Sequence, residues 1–332
     1  MMVMVIFSGL LLSGCDPYKK LAKSNVIADK DTAAVRYYNA KKYDQAVYVF
    51  EELMAVYRGT PRMEEMYYYF TYCKYFMGEL VTAAFYFDDF AQKFPNSKHA
   101  DEFEFMTAKC YYQISDPYYL DQTYTDKAIG QMQLFLSRNP NSEHKEKCMK
   151  YLTELRERLA KKAFEQALLY QKIGYHKAAV QAFQNVTNEY SDSKFREEAQ
   201  YLLVKSAVNL AESSIASKRL TRYEEAMEFQ EKFVEKFPNS KFGKDAEGLA
   251  EEIAKNRMRL EAEKRQKEES FAFNGFKRAM QIATDTEEVE ERKAAYTKAL
   301  ESYRKFQEKY PKSKFLSEAD KIFKQYEKKF EE

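Results

Sequence analysis

Apolar and polar residues follow one another along this chain with the period of a helix, in blocks separated by a recurring phrase. The phrase reads KFPNSK at 93–98, NPNSE at 139–143, EYSDSK at 189–194, KFPNSK at 236–241 and KYPKSK at 309–314. Each copy follows one amphipathic stretch and precedes another. Its Pro or Ser ends a helix, and its Asn and Ser oxygens are suited to cap the next, so the phrase predicts a corner between helices. Twelve residues before the Pro position of every copy stands an alanine: Ala83, Ala128, Ala179, Ala226 and Ala299. Four residues after these come Phe87, Met132, Phe183, Gln230 and Tyr303, and an earlier copy without the proline keeps Ala46 and Phe50. The pattern predicts helix pairs near 28–57, 62–94, 98–138, 146–190, 195–237 and 270–310.

Small residues that let two helices approach, with a bulky one a turn later, resemble the tetratricopeptide repeat, a pair of antiparallel helices. Successive alanines lie 37, 45, 51, 47 and 73 residues apart, so these units are longer than the usual ~34. The resemblance implies an all-α superhelical solenoid of five to six helix pairs, each burying its apolar face on its neighbours and together leaving a concave side. The expected division is a leader at 1–14, a linker at 15–27, N-terminal repeats at 28–140, C-terminal repeats at 141–240, and a helical extension with a further repeat-like pair at 241–332. Within the last, 251–269 carries dense mixed charge, read as a solvated stretch of long helix or as a docking arm.

Composition agrees with helices and removes several functions. Glycine (9) and proline (7) are too few for a sheet protein rich in tight turns, and a net charge of +2 offers no basic stripe for nucleic acid. Cys73, Cys110 and Cys148 are odd in number and lack metal spacing, so they are read as small buried hydrophobes. The three histidines, His99, His144 and His176, fall on different units. No phosphate-binding glycine loop, HExxH or GxSxG occurs, and the expectation is a protein without catalytic residues, metal or cofactor.

Aromatic residues are the conspicuous excess, with 27 Tyr and 25 Phe against no Trp. In MEEMYYYFTYCKYFMGE they surround a whole helix, more than a repeat core needs. Tyr68, Tyr72 and Tyr75 share one face at i, i+4 and i+7, and with Tyr38 they are the candidate lining of a peptide groove. The alternative is that they pack on the neighbouring unit or loop.

The chain opens with an apolar run ending Leu12-Ser13-Gly14-Cys15, too short to span a bilayer. One reading is a buried N-terminal helix. The other rests on small residues before the cysteine, which resemble the lipobox of bacterial lipoproteins. That resemblance implies removal of the leader, acyl chains such as palmitate on Cys15, and attachment to a membrane surface.

Three features together resemble the BamD family of outer-membrane β-barrel assembly lipoproteins: the lipobox followed by repeats starting AVRYYNAKKYDQAVYVFEELMAVY, the insert SDPYYLDQTYTDKAI at 115–129, and RLAKKAFEQALLYQKIGYHKAAVQAF at 158–183. The resemblance covers roughly 16 to 240. It implies a scaffold on the periplasmic face of the outer membrane whose C-terminal repeats bind the POTRA domains of a BamA-like barrel protein. Its N-terminal repeats would recognise unfolded outer-membrane proteins. On that basis Tyr170, Tyr175 and Arg196 are the docking candidates. A different lipoprotein of this repeat class, an adaptor for cell-wall synthesis or nutrient uptake, is the second reading.

Overall fold

The computed structural model describes residues 18–331, all helix and corner with no strand among them; Cys15 and the leader lie outside the described residues. In chain order the helices are α1 Lys19–Ala22, α2 Ile27–Asn39, α3 Tyr43–Val56, α4 Arg62–Phe76, α5 Leu80–Lys93, α6 Ala100–Ile114, α7 Thr123–Arg138, α8 Lys145–Lys172, α9 His176–Glu189, α10 Arg196–Glu212, α11 Ala216–Lys236, α12 Gly243–Asp285, α13 Val289–Lys309 and α14 Leu316–Glu331. These are the expected pairs, followed by a closing helix. The fold class is all-α, built of tetratricopeptide-like helix pairs.

Packing divides the chain into two compact units, one up to Glu165 with Asp192–Lys194 added, the other Gln166–Ser191 with everything from Phe195. The expected boundary at 140/141 therefore falls inside the first unit. A reason is visible in the bonds: Arg156 grips Asp192 through Nε (3.1 Å) and Nη2 (2.9 Å), and Glu157 accepts the Lys194 amide at 3.0 Å.

The repeat alanines set the packing. Ala46, Ala83, Ala128, Ala179, Ala226 and Ala299 each have no exposed surface, and Phe50, Phe87, Met132 and Phe183 one turn on are equally closed off. Gln230 and Tyr303, the two polar occupants of that second position, are 8% exposed. In the first unit, α2–α4 enclose a core around Phe50, Leu53 and Phe70, and a second core around Phe87, Phe90 and Phe103 continues to Phe135 and Leu155. In the second unit, one core gathers around Val204, Tyr223 and Phe233 and another around Phe276, Tyr303 and Phe306. The charged stretch is a continuous part of the 43-residue α12, exposed from Glu261 to Glu268, as a solvated helix should be.

The corners between pairs work differently from the expectation. Ser97, Ser240 and Ser313 do not cap the following helix. Their hydroxyls accept the amide of the residue two further on, at 3.0 to 3.1 Å, and the cap residues His99 and Phe242 make no side-chain cap bond. The same hydroxyls donate backward: Ser97 to Glu64 and Ser240 to Glu197, both at 2.6 Å. Asn139 makes the equivalent bond to Glu104 at 2.6 Å, and Ser193 bonds Glu157 at 3.4 Å. A glutamate on the first helix of a pair thus fastens the corner that leaves it.

In three pairs the inner corner places one residue in the left-handed region. Gly78 (φ 80°) and Gly174 (φ 78°) supply it freely, whereas in the first pair Lys41 adopts φ 59°. A Cβ added at Gly174 would meet nothing within 4 Å, so any cost there is backbone strain alone. Gly174→Ala is expected to lower stability by about 1 kcal/mol in chemical denaturation, while Lys41→Gly should not destabilise. Ala83→Leu, which forces a branched side chain into a fully enclosed position, should cost ~1–3 kcal/mol.

Candidate binding surfaces

In the first unit the four candidate tyrosines come together, in a seam across α2, α4 and α6. Tyr38 of α2 stands edge-on to Tyr43 (5.8 Å) and Tyr69 (4.9 Å), and Phe76 stacks on Tyr43 at 5.0 Å. Tyr72 lies 5.8 Å from Phe76 and 4.8 Å from Tyr68, and Tyr68 in turn contacts His99 (4.5 Å) and Phe103 (5.4 Å). Tyr75 packs on Phe87 at 6.1 Å beneath the Lys109 ammonium. Offset and edge-on rings at these spacings are favourable contacts.

The seam is not uniformly open. Tyr72 is 8% exposed, wedged against Phe87 and Phe103, and donates its hydroxyl to Glu102. It is a packing residue between pairs, which corrects its assignment to the groove lining. Tyr38, Tyr68 and Tyr75 are half-buried, and the sequence reading missed Tyr69, half-buried, and Phe76, 47% exposed. At the end of the seam a cavity of about 460 Å³ opens between Pro61 and Glu65 of the α4 entrance and Lys98–His99, walled by Tyr68 and Tyr69. His99 Nδ1 lies 3.1 Å from Glu102, so this carboxylate receives both the Tyr72 phenol and the imidazole edge.

Burial, more than any charge, raises the phenols of Tyr38, Tyr68 and Tyr72 above the ordinary value of 10.0. The Glu154 hydrogen bond is the first cause that pushes Tyr112 up to about 12. A raised tyrosine stabilises the fold fully below its unfolded value and loses that contribution as pH rises through the folded one.

The insert forms a loop, Ser115–Gln122, tied down from α8. Arg158 donates to the Ser115 and Asp116 carbonyls (2.9 and 3.1 Å), Lys162 donates to the Leu120 carbonyl (2.6 Å), and Lys161 lies 4.1 Å over the Tyr118 ring. Inside it, Gln122 Nε2 donates to the carbonyls of Pro117, Leu120 and Asp121. So held, the loop presents Tyr119 (68% exposed) and Leu120 to solvent. The RLAKK run was legible as a motif, but its part in holding the loop was not.

The second unit does not gather its three candidates. Tyr175, 64% exposed, sits at the α8–α9 corner on the wall of a cavity of about 930 Å³, with His176, Val180, Leu210, Arg222 and Glu225 around it. Arg222 is fixed there by bonds to Ser214 and the Leu210 carbonyl. Tyr170 is half-buried on α8 and accepts Gln166 Nε2 at 3.3 Å. Arg196 opens α10 beyond the far end of α9, about 21 Å of helix away, with its guanidinium over Phe237. Tyr175 and Arg196 therefore belong to different patches.

The remaining titratable groups suit packing. Cys73 and Cys110 are fully buried, their thiols pushed up to about 12 by burial, and Cys148 is likewise buried and pushed up to about 11. Among the described residues no three His, Cys, Asp or Glu are grouped to hold a metal, and no helix is long and apolar enough to cross a membrane.

Stacked helix pairs with an aromatic seam and exposed apolar points define a repeat scaffold for protein contacts. Residues 31–221 match the YfiO family, described as outer membrane lipoprotein, and the chain belongs to this family. Membership associates it with the outer membrane. No curated protein matches the chain significantly. Among solved structures it is similar to a thermophilic TPR protein of Thermus thermophilus (14% identical over 69% of this chain and 99% of that one, TM-score 0.27). Another is the TPR2AB domain of yeast Sti1 in its pHSP90 complex (14%, 69% and 98%, TM-score 0.34). A third is the Rap conjugation gene regulator of plasmid pLS20 with the Phr* peptide (13%, 92% and 81%, TM-score 0.28).

Two outcomes follow. Tyrosinate formation in the native protein should lag behind that of the unfolded chain above pH ~10, and stability should fall over that range. Arg158→Ala should leave the fold intact while markedly speeding amide exchange at 116–121.

Proposed function

We propose that this chain is a BamD-type lipoprotein of the outer-membrane β-barrel assembly machinery, anchored through acyl chains on Cys15 at the periplasmic face. It acts as a rigid, non-catalytic scaffold without cofactor. Its C-terminal repeats bind the POTRA domains of a BamA-like barrel protein, and its N-terminal repeats receive segments of unfolded outer-membrane proteins. The observation that carries this reading is the family match across 31–221, which spans the aromatic seam and all of the cavity beside Tyr175 except Arg222 and Glu225.

Chemistry supports the division of labour. The seam offers the rings of Tyr68 and Tyr69 beside the Glu65 and Lys98 side chains, with exposed Phe76 at the other end of α4, a surface suited to extended peptides with aromatic residues. The cavity in the second unit offers an apolar wall from Val180 and Leu210 with Arg222 and Glu225 opposite, suited to a folded partner.

Gentle solubilisation and capture through a C-terminal tag should recover a large β-barrel protein with repeated periplasmic domains in near-stoichiometric amount. Recovery of cell-wall enzymes or a transporter in its place would overturn the proposal in favour of the adaptor reading. Tyr68→Ala with Tyr69→Ala should weaken binding of unfolded barrel segments about tenfold or more while partner capture persists. Tyr72→Phe should cost ~1 kcal/mol of stability and leave peptide binding unchanged.

A further inference from the structure

The short stretch between the proposed anchor and the first repeat is held in place, and its outer surface has one chemical character. Tyr18 sets its ring edge-on to Tyr37 at 5.2 Å, and Leu21 and Ala22 pack into the core formed with α2 and α3. With that side fixed inward, Lys19, Lys20 and Lys23 are exposed. Val26 and Ile27, where α2 begins, are 57% and 44% exposed. Of the neighbouring acids, Glu52 pairs with Lys30 and Asp31 with Arg62 (3.4 Å), while Asp29 turns to the Ser24 hydroxyl at 2.6 Å. Three ammonium groups and an apolar pair thus share one fixed nine-residue segment, 19–27, that contains no carboxylate of its own.

We propose that α1 and the entrance to α2 form a second membrane contact, seated on anionic phospholipid headgroups, with the three lysines on phosphates and Val26 and Ile27 in the interfacial layer. The inference rests on the lipid-anchor reading for its geometry. Only Asp16 and Pro17 lie between Cys15 and Tyr18, a reach of at most ~11 Å, so an acylated Cys15 brings α1 to the headgroup layer. Cationic side chains beside short apolar ones suit that layer, where a lysine near an anionic surface strengthens association about fivefold and three together about a hundredfold. The attraction decays within a Debye length and weakens with salt. Its consequence is orientation: the anchor alone would leave the repeats free to swing, whereas the second contact fixes which end of the first unit faces the bilayer.

The test uses the full-length protein purified with its lipid and reconstituted into vesicles of phosphatidylcholine, alone or with about one-third phosphatidylglycerol. Amine acetylation followed by mass spectrometry should find Lys19, Lys20 and Lys23 modified about tenfold more slowly in the anionic vesicles, with protection lost at high salt. Lys264 and Lys267, exposed on α12, should react alike in both. Equal rates in the two vesicle types, whether fast or slow, overturn the proposal; slow in both means that protein and not lipid covers the segment. The same spectra show whether Cys15 carries acyl groups. A bare Cys15 sinks the anchor reading separately, and the surface is then decided by sedimentation of that unlipidated protein with anionic vesicles. There the Lys19→Glu, Lys20→Glu, Lys23→Glu variant should lose about a hundredfold in partitioning, and unchanged sedimentation overturns the proposal.

Discussion

Everything in this structure depends on how closely two helices approach at one buried alanine per pair. At Ala46, Ala83, Ala128, Ala179, Ala226 and Ala299 the side chain ends at Cβ, so the facing helix comes near and the ring or chain one turn on closes the remaining space. A helix pair cannot bury its other face alone, and the chain answers by repeating the device until neighbouring pairs share their cores. Helix lengths could then drift from pair to pair, from 14 residues in α3 to 21 in α11, without altering the contact that sets the register.

The alanines, the bulky residues after them and the limits of the helices were legible because they are local: each is settled within about a turn of its own helix. The corner serines were legible as turn residues but not in their bonding, since their glutamate partners stand 33 to 43 residues earlier, on another helix. Tyr68 and Tyr72 illustrate the same limit at the candidate surface. A helical wheel places them together correctly, yet Phe103, from the next pair, closes over Tyr72 and leaves Tyr68 half-exposed. The family resemblance puts Tyr175 and Arg196 in the same docking group, but a whole helix separates them.

The wealth of tyrosine has a structural account that does not depend on binding. Tyr57 meets Asp31, Tyr67 meets Asp89, Tyr72 meets Glu102, Tyr112 meets Glu154 and Tyr303 meets Asp320, each phenol donating to a carboxylate on another helix. A phenylalanine would fill the same space and take away that donor from the acid. Tyrosine does both at interfaces between helices that are neither dry nor fully wet, and in the seam it is the rings left over from this service, with Phe76, that form the open surface.

In the second unit the last α12 side chain packed on the first core is Leu260, and the first packed on the second is Ala272. The twelve residues of helix from one to the other span ~18 Å. Since α12 is unbroken from Gly243 to Asp285, the spacing and rotational register between the terminal three-helix core and the preceding one are set by helix geometry alone, with no corner between them. The two cores of this unit thus share one continuous helix.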